Sequence, residues 1–461
     1  MATLGPATDP DGVLDALADA GIDCARLNCS HGTADDLRSR ADAVREAAER
    51  GGRAIGLLFD LQGPKLRLAA DTAPRTITPG ETVVFTGREN GGTEERVRVD
   101  FPDFVRLVTD RSQIVIGDGV PRLIVESLGP GEVVARAVSM GQLAPRKGIN
   151  VTYARPELPA ITEKDAADLA LAAQLGADYV ALSFVRSAAD IEELRARLSE
   201  HDWHGRTIAK IEKVEAYENL EEILAAADGV MVARGDFGVE AGVARVPLMQ
   251  KQTIRRATQA GKMVITATQM LESMIHAPEP TRAEATDVAN AVIDGTSAVM
   301  LSAETSVGEY PVEAVRAMSQ LAEAAEESPD IHGRARSDQE ETAAAAVMHA
   351  AVELAEDIDA VALVVPTTLG GSPRACAKYR TRRPIIALAH DRSIADQLTL
   401  EWGVYPHTMP VHKTVDELIE SALVTAKEFA GLPTGARVVI TTGRQAGATG
   451  GTSMIMVREI P

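Results

Sequence analysis

The sequence predicts an α/β protein: a parallel (β/α)8 barrel, a small β-barrel domain inserted into it, and a C-terminal α/β domain. Short aliphatic runs alternate with longer segments rich in Ala, Leu and Glu, which is the pattern of βα units and a parallel sheet. The 461 residues leave room for roughly two to four domains, one of which can be a large barrel. Only 3% of the residues are aromatic, so aliphatic side chains must fill the cores.

The aliphatic runs are the predicted barrel strands. A short run at 2–4 brings their number to eight, which closes a TIM barrel. Polar residues follow each of the seven longer runs, and barrel enzymes carry their chemistry at this end of the strands. One such residue is usually a turn former or a helix cap, but the same coincidence on seven strands indicates an active face. The longer runs are 23–27, 54–59, 179–184, 208–211, 229–232, 264–266 and 298–301.

Two interruptions of the βα repeat predict the other domains. After Asp60, Gly63 and Pro64, a stretch in which Val alternates with polar residues predicts the inserted β domain. After Ser328 and Pro329, a polar linker leads to a further α/β pattern with strands near 360–365, 384–388 and 438–441. The predicted domains are 1–66 and 159–332 for the barrel, 67–158 for the inserted domain and 333–461 for the C-terminal domain.

Charge and composition exclude several classes of function. The formal net charge is −20, whereas binding to nucleic acid or to an anionic membrane needs a basic surface. No apolar run approaches the ~18 residues of a membrane span, and the first residues do not form a signal peptide, so a cytoplasmic protein is expected. Cys24, Cys29 and Cys376 have neither the spacing nor the companion ligands of a zinc site, and we predict reduced, mostly buried thiols.

Lys210 and Glu212 lie two positions apart on one predicted strand, so their side chains share a face while Ile211 turns away. By itself this spacing is more often a strand-end salt bridge than a ligand site. Asp236, however, follows the neighbouring predicted strand. Because a hard cation that keeps several waters needs only one or two carboxylates besides substrate oxygens, Glu212 and Asp236 are predicted to hold Mg²⁺ or Mn²⁺.

No Walker loop and no dinucleotide fingerprint is present in the sequence, so side chains must bind any phosphate. Gly235 would let backbone amides approach a bound anion closely. Thr268, which follows another predicted strand, could hand a proton to a reacting carbon directly or through water. Each cationic candidate, taken singly, is more often an ordinary surface residue. The candidates for phosphate contacts are Arg26, Lys65, Arg67, Lys147 and Lys210.

Several longer segments closely resemble the signature segments of pyruvate kinases. The resemblance covers nearly the whole chain, in order, and includes the inserted domain. It implies an enzyme that transfers the phosphoryl group of phosphoenolpyruvate to ADP, giving pyruvate and ATP in the last step of glycolysis, and it implies a homotetramer. The segments are ARLNCSHG (25–32), DLQGPK (60–65), KIE (210–212), MVARGDFG (231–238), ATQMLESM (267–274) and TRAEATDVAN (281–290).

The resemblance also implies roles for individual residues. Lys210 would stabilise the transferring phosphoryl group and the developing enolate, and the Thr268 region would deliver a proton to the enolate. Glu212 and Asp236 would be the Mg²⁺ ligands. Catalytic roles are implied for Lys210, Arg26 and Thr268, further substrate contacts for Gly235 and Asp236, and nucleotide contacts for Asn28, Arg67 and Lys147.

Lys65 departs from the pattern of many pyruvate kinases, which need K⁺ and carry Glu at this position. Leu61 likewise stands where a potassium-ligating Thr is common. Asn28, Ser30 and Asp60, which would help to line the monovalent-cation site, are present. The ammonium of Lys65 is therefore predicted to replace the monovalent cation, so that K⁺ is not required.

Two further departures lie at the N-terminus and in the C-terminal domain. The chain begins within the first family segment, so we expect a shortened first barrel strand, through a misplaced start or a weak closure. Because Leu369 and Gly371 replace polar and basic residues of the family's effector loop, regulation by fructose 1,6-bisphosphate is not expected. A sugar monophosphate, a nucleotide and a plain helix cap stay open as interpretations. The possible effector-loop residues are Thr367, Thr368, Gly370 and Ser372.

Two other functions remain open on the sequence alone. A metal-dependent lyase or aldolase acting on pyruvate would use a similar barrel and a Glu/Asp metal pair, but it would not need the inserted domain or Lys210. A non-catalytic paralogue would lack at least one charged site residue. None of the charged or polar candidates at Arg26, Lys210, Glu212, Asp236 and Thr268 is missing.

Overall fold

The computed structural model describes residues 1–88, 92, 96–117, 119–154, 158–331, 342–445 and 451–461. The predicted boundary at residues 332 and 333 lies outside these ranges. The first part of the barrel contains three strands and two helices in alternation. They are β1 (Ala2–Thr3), α1 (Val13–Asp19), β2 (Cys24–Asn28), α2 (Ala34–Arg50) and β3 (Gly56–Asp60).

The second part of the barrel continues the alternation. A 3₁₀ helix at Glu272–Ile275 follows the strand at Met263–Ala267, and the buried side chains of Met270, Leu271 and Met274 pack in the barrel core. The inserted domain, with eight strands and one helix, comes before this part in the chain, so the numbering here starts at α4 and β12. Its elements are α4 (Glu163–Gln174), β12 (Tyr179–Leu182), α5 (Ala188–Ser199), β13 (Arg206–Ile211), α6 (Val214–Glu218), α7 (Leu220–Ala226), β14 (Gly229–Ala233), α8 (Arg234–Ala241), α9 (Val246–Gln259), β15 (Met263–Ala267), α10 (Arg282–Ile293), β16 (Ala298–Val299), α11 (Ala303–Ser306) and α12 (Pro311–Glu326).

The eight barrel strands form one parallel sheet in the order β1-β2-β3-β12-β13-β14-β15-β16. The ring closes because Thr3 N–H donates to Leu301 O at 3.1 Å and Leu301 N–H donates to Met1 O at 3.0 Å. The parallel (β/α)8 barrel is therefore confirmed, and its first strand is short, with two residues.

Alternation along the strands decides where the chemistry lies. Side chains two residues apart on a strand point to the same face. On β3 and on β13, an apolar residue is followed on the same face by a charged residue. Leu58 precedes Asp60 on β3, and Ile208 precedes Lys210 on β13; all four are buried. The barrel interior is thus apolar towards the amino ends of the strands and ionic at the carboxyl ends.

The inserted strands form a largely antiparallel sheet in the order β11-β7-β8-β9-β5-β6, with β4 and β10 paired separately. Backbone bridges from Arg67 to Gly148 and from Leu68 to Val99 connect the two edges of the larger sheet, which makes it a small barrel around its own apolar core. Its elements are β4 (Arg75–Ile77), β5 (Thr82–Thr86), β6 (Arg96–Arg98), α3 (Phe104–Leu107), β7 (Gln113–Ile116), β8 (Arg122–Gly129), β9 (Glu132–Ala137), β10 (Gly141–Leu143) and β11 (Ile149–Val151).

The C-terminal part of the chain has a five-stranded sheet in the order β19-β18-β17-β20-β21, in which only β21 runs antiparallel to its neighbour. Apolar clusters lie on both sides of this sheet, one against α13 and the other against α16. Its elements are α13 (Ala343–Asp357), β17 (Ala362–Thr367), α14 (Gly371–Ala377), β18 (Ile385–Ala389), α15 (Arg392–Asp396), β19 (Val404–Thr408), α16 (Val415–Ala430), β20 (Arg437–Gly443) and β21 (Thr452–Glu459).

Cys24, Cys29 and Cys376 are free and buried, as the sequence indicates. In the described ranges, none of the helices has both the length and the apolar character to cross a membrane.

Candidate active site

Lys210 forms the centre of a buried ionic network at the carboxyl end of the barrel. Its Nζ donates to Ser183 Oγ at 2.7 Å and lies 2.9 Å from Glu212 Oε1 and 3.1 Å from Asp60 Oδ1. The other oxygen of Asp60 accepts from Arg26 Nε at 2.7 Å. β2, β3, β12 and β13 are neighbours in the ring, so residues far apart in sequence meet here.

Each charged group of this network stabilises the charged form of its oppositely charged neighbours. Burial lowers the pKa of Lys210, but the carboxylates of Asp60 and Glu212 outweigh burial and hold that pKa above its ordinary value. Burial raises the pKa of Asp60, yet Lys210 and Arg26 bring it below its ordinary value. Lys210 therefore stays an ammonium and Asp60 a carboxylate at neutral pH.

Glu212 and Asp236 fit a divalent cation. Glu212 Oε2 accepts the backbone N–H of Phe184 at 2.8 Å, which fixes the carboxylate in place. Burial raises the pKa of Glu212, Lys210 opposes this, and the negative charge of Asp236 adds to the increase. Asp236 is exposed and lies in the first turn of α8, and its carboxylate makes no hydrogen bond or ion pair with another described residue.

The number of ligands also fits a hard cation. Nowhere in the described part of the chain do three or more His, Cys, Asp or Glu side chains form a group that could hold a metal. Two carboxylates would leave most coordination positions to water and substrate oxygens, which is how Mg²⁺ is usually held. Glu212 can therefore form a salt bridge and also serve as a metal ligand. It pairs with Lys210, and the negative charge of Asp236 still acts on it.

Thr268 lies in a constrained loop after β15. Its φ angle is +70° and that of Gln269 is +53°, a region that β-branched residues rarely adopt. Thr268 Oγ1 donates to Ala267 O at 2.7 Å and accepts the backbone N–H of Gly235 at 2.8 Å. The loop therefore presents a hydroxyl beside the start of α8, where Gly235 and Asp236 lie.

Arg234 holds this loop, and the sequence prediction gave it no role. Its guanidinium donates to the carbonyl oxygens of Ala267 at 3.3 Å, of Thr268 at 2.6 Å and of Gln269 at 3.2 Å, and it pairs with Asp287 at 2.6 Å. Arginine suits this task because five N–H groups in a planar fork can reach several acceptors.

A cleft of about 1180 Å³ separates the barrel mouth from the inserted domain. Arg67 lines it from the inserted side, Gly235 and Asp236 line it from the barrel side, and Lys65 lines it where the chain passes from the barrel to the inserted domain. Lys147 lies against Gly117, which is also part of the cleft wall. Two of the predicted phosphate contacts, Lys65 and Arg67, thus border the same space as the predicted metal ligand Asp236.

The residues predicted for a monovalent-cation region do not all meet. Ser30 N–H donates to Asn28 Oδ1 at 3.1 Å, but the two oxygens of Asp60 face Arg26 and Lys210. Lys65 is exposed; its backbone N–H donates to Gly63 O at 2.9 Å, and its ammonium makes no hydrogen bond or ion pair with another described residue. Its replacement of a monovalent cation stays a prediction.

The possible effector loop lies far along the chain, in the C-terminal sheet region. Gly370, with φ at +75°, donates its N–H to Thr367 Oγ1 at 2.9 Å, and Ser372 Oγ is 2.8 Å from Thr452 Oγ1. Thr367, Thr368 and Ser372 line a separate cavity of about 360 Å³.

The barrel and its site define an enzyme for oxygen-rich anions: a buried ammonium and guanidinium stand beside two carboxylates. A separate β domain lies across a cleft from Gly235 and Asp236, which follow the neighbouring strand. Comparisons with known proteins agree. The family model of the pyruvate kinase barrel domain matches residues 1–315, and that of the pyruvate kinase alpha/beta domain matches residues 345–458. The chain belongs to the pyruvate kinase family and is a phosphotransferase.

Curated relatives match over the full chain. A pyruvate kinase of Geobacillus stearothermophilus is 42% identical over 467 residues, which covers 100% of this chain and 80% of the relative. A pyruvate kinase of Mycobacterium tuberculosis (strain ATCC 25618 / H37Rv) is 41% identical over 465 residues, covering 100% of this chain and 98% of the relative. These matches do not favour the alternative of a lyase or an aldolase.

Proposed function

We propose that the chain transfers the phosphoryl group of phosphoenolpyruvate to ADP at the carboxyl end of the barrel. The observation that carries this is the buried Lys210 ammonium, held by three oxygens beside Arg26. In the reaction the bond between the enol oxygen and phosphorus breaks, and a terminal oxygen of ADP takes the phosphoryl group. A fixed positive charge stabilises the negative charge that develops on the enolate oxygen and on the moving group.

Arg26, Lys210 and Thr268 are the proposed catalytic residues, and Gly235 and Asp236 complete the substrate contacts. The two cations orient the phosphoryl group and the carboxylate of phosphoenolpyruvate. Thr268, whose hydroxyl is fixed between Ala267 O and Gly235 N, marks the region from which the enolate carbon receives its proton, directly or through water. Protonation of that carbon gives pyruvate.

Glu212 and Asp236 are the proposed ligands of Mg²⁺ or Mn²⁺. When bound, the cation neutralises phosphoryl and enolate oxygens as a Lewis acid. Glu212 is held by the N–H of Phe184 and by Lys210, so the chain fixes one ligand before any cation arrives.

Asn28, Arg67 and Lys147 are the proposed nucleotide contacts. Arg67 Nη1 donates to Arg146 O at 3.1 Å and Lys147 Nζ donates to Gln142 O at 3.2 Å, so both cations are anchored within the inserted domain. Movement of that domain towards the barrel would bring them to the phosphates of ADP and exclude water from the cleft.

The experiment that tests the proposal is a coupled assay of pyruvate formation from phosphoenolpyruvate and ADP, with and without Mg²⁺. Lys210→Met should lower kcat by about 1,000-fold, because one charge aimed at the transition state is lost. Lys262→Met, just before β15 at the opposite end of the barrel, is the matched control and should stay within about twofold of the parent. Undiminished turnover in Lys210→Met would overturn the mechanism.

K⁺ independence is a separate part of the proposal. The ammonium of Lys65 supplies the positive charge that a monovalent cation would otherwise supply, so turnover should be the same in K⁺, Na⁺ and Tris buffers. Lys65→Glu should create a dependence on K⁺. Stimulation of the parent enzyme by K⁺ that is absent in Na⁺ would contradict this assignment.

The proposed cellular form is a cytoplasmic homotetramer with a possible phosphorylated effector at the loop formed by Thr367, Thr368, Gly370 and Ser372. Sedimentation would measure the mass of the assembly. A sugar monophosphate or a nucleotide that raises the melting temperature of the parent enzyme, but not that of Ser372→Ala, would identify the effector class. No shift with either class would leave the loop as a helix cap.

A further inference from the structure

Three polar side chains meet where the inserted domain returns to the barrel. Asn150 lies on β11, Lys213 directly follows Glu212 after β13, and Glu240 lies on α8. Asn150 Nδ2 donates to Glu240 Oε2 at 2.5 Å, and Lys213 Nζ donates to Asn150 Oδ1 at 2.8 Å and to Glu240 Oε2 at 3.2 Å. Each member contacts both others, and we call this the Asn150–Lys213–Glu240 cluster.

The carboxylate of the cluster is buried in a way that stability alone does not explain, while Asn150 and Lys213 border the cleft. The Glu240 side chain has no exposed surface and that of Lys213 is 13% exposed. Glu240 Oε1 is buried without a hydrogen-bond partner in the described part of the chain. An unsatisfied buried oxygen destabilises the folded state, because it loses its hydrogen bonds to water and gains none in return. A carboxylate kept there at such a cost indicates a requirement for defined geometry.

Each member of the cluster connects to a proposed functional group. Glu240 belongs to α8, the helix whose first turn carries Gly235 and Asp236. Lys213 adjoins Glu212 in the chain. On the inserted side, Asn150 stands three residues after Lys147. The cluster therefore links both proposed metal ligands to a proposed nucleotide contact through a few rigid residues.

A second contact holds the same helix. Arg122 on β8 donates from Nη2 to Val239 O at 2.7 Å and to Gly238 O at 3.5 Å. The inserted domain thus touches α8 at two points near its carboxyl end, while Asp236 stands at its amino end. Since a short helix moves as one body, the position of the inserted domain and that of Asp236 depend on each other.

We propose that Glu240 is a positioning residue that couples the inserted domain to α8, so that Asp236 shifts together with the nucleotide contacts Arg67 and Lys147 when that domain moves. This rests on the function proposed above. Glu240 does not touch substrate; it acts through α8 and through Asn150. Binding of ADP depends on the inserted domain, whereas phosphoenolpyruvate is bound mainly by barrel residues, so the two substrates should respond differently when the cluster is broken.

Glu240→Gln keeps the size of the side chain and removes its charge. The KM for ADP should rise about tenfold and kcat should fall severalfold, while the KM for phosphoenolpyruvate stays within about twofold. Asn150→Ala, which cuts the cluster from the inserted side, should reproduce this pattern. The double variant should be no worse than the more damaging single variant, because both break the same connection.

Asp294→Asn is the matched control, since it breaks a partly exposed ion pair between Asp294 and Lys251 on the outside of the barrel. It should alter neither KM. Equal changes in the KM values of both substrates in Glu240→Gln, or additive effects in the double variant, would assign the cluster a purely structural role and overturn the proposal. Unchanged KM values in both Glu240→Gln and Asn150→Ala would overturn it as well.

A measurement without substrates separates this proposal from the proposed function. Hydrogen–deuterium exchange of the free protein should be faster in residues 119–151 and 234–241 of Glu240→Gln than in Asp294→Asn. If the parent enzyme forms no pyruvate, the proposed function fails, and exchange alone decides whether the cluster fixes the inserted domain. Equal exchange in the two variants would contradict the proposal whatever the activity.

Discussion

Two buried ionic clusters lie at opposite ends of the barrel and use the same residue types differently. At the carboxyl end, Asp60 contacts Arg26 and Lys210. At the amino end, Asp178 immediately precedes β12 and lies 3.0 Å from Arg45, whose other nitrogen is 3.2 Å from Asp396 in the C-terminal domain. Arg392 also pairs with Asp396, at 2.9 Å. One cluster lies at the end of the barrel that carries the candidate active site, and the other joins two parts of the chain.

The difference lies in which charge each cluster stabilises. At the carboxyl end, the carboxylates hold the pKa of Lys210 above its ordinary value, so a cation is guaranteed. At the amino end, burial raises the pKa of Asp178 to about 7, against the opposing charge of Arg45 and with help from Asp396. Barrel enzymes generally place chemistry at the carboxyl end and stability at the amino end, and these two clusters follow that division.

Asp60→Asn should give the largest effect, because it leaves Arg26 and Lys210 buried beside each other with less negative charge. Breaking a buried ion pair from one side costs about 3–5 kcal/mol, and displaced catalytic cations should lower kcat by about 100-fold. Turnover and urea unfolding measure the two losses. Asp178→Asn is the matched change at the amino end and should keep turnover within about twofold. Equal losses of turnover in the two variants would show that the two clusters do not differ in their contribution to catalysis.

Asp178→Asn should instead change how stability depends on pH. A carboxyl group whose pKa is raised by folding binds more protons in the folded state, so its stabilisation is present at low pH and is lost as pH rises from about 4 to about 7. Between pH 5 and pH 8 the unfolding free energy of the parent should fall by roughly 1–3 kcal/mol more than that of the variant. Parallel pH profiles in urea unfolding would show that Asp178 does not titrate in this window.

Arg234→Lys should lower kcat/KM for phosphoenolpyruvate by about tenfold, since an ammonium cannot reach the three carbonyl oxygens that fix the Thr268 loop. Arg392→Lys, at the amino end, should leave kcat/KM unchanged and reduce stability by less than about 1 kcal/mol. Steady-state kinetics and thermal unfolding of both variants give the comparison. A larger loss of kcat/KM in Arg392→Lys than in Arg234→Lys would place the chemistry at the amino end of the barrel and contradict the proposal.

Ser183→Ala should have the smallest effect, because Asp60 and Glu212 still hold Lys210 when the hydroxyl is gone. The loss of one hydrogen bond should lower kcat about two- to fivefold. Thr399→Ala removes a hydroxyl that donates to Asp396 O at the amino end and should change stability without changing kcat. A loss of kcat in Ser183→Ala as large as that in Asp60→Asn would show that the hydroxyl, rather than the carboxylate, orients Lys210.

The barrel could be predicted from the sequence because its strands are buried on both faces and are therefore continuous aliphatic runs. The predicted strands agree with β2, β3 and β12 to β16 to within a few residues. In the C-terminal sheet, β19 and β21 were missed. β19 contains Pro406, which argues against a strand, and much of β21 is partly or fully exposed, so neither is a simple aliphatic run.

The site could be predicted only where a local pattern points to it. Period-two spacing places Lys210 and Glu212 on one face, and the ion pair between them confirms that geometry. Arg234 was not assigned a role because its acceptors are backbone carbonyls more than thirty residues away, which leave no side-chain pattern. Asp396 is 351 residues from Arg45, so no local rule could have joined the amino-end cluster. The domain boundaries stay predictions.

During protein synthesis, the candidate site can be completed only after the barrel closes. Thr3 Oγ1 accepts from Arg26 Nη1 and donates to Leu301 O, which lies 298 residues further along the chain. At ribosomal speeds of about 5–20 residues per second, Thr3 waits roughly 15–60 s for this partner. Arg26 therefore gains its final anchor late, and a nascent chain that ends before the eighth strand carries the ionic residues without a complete support for them.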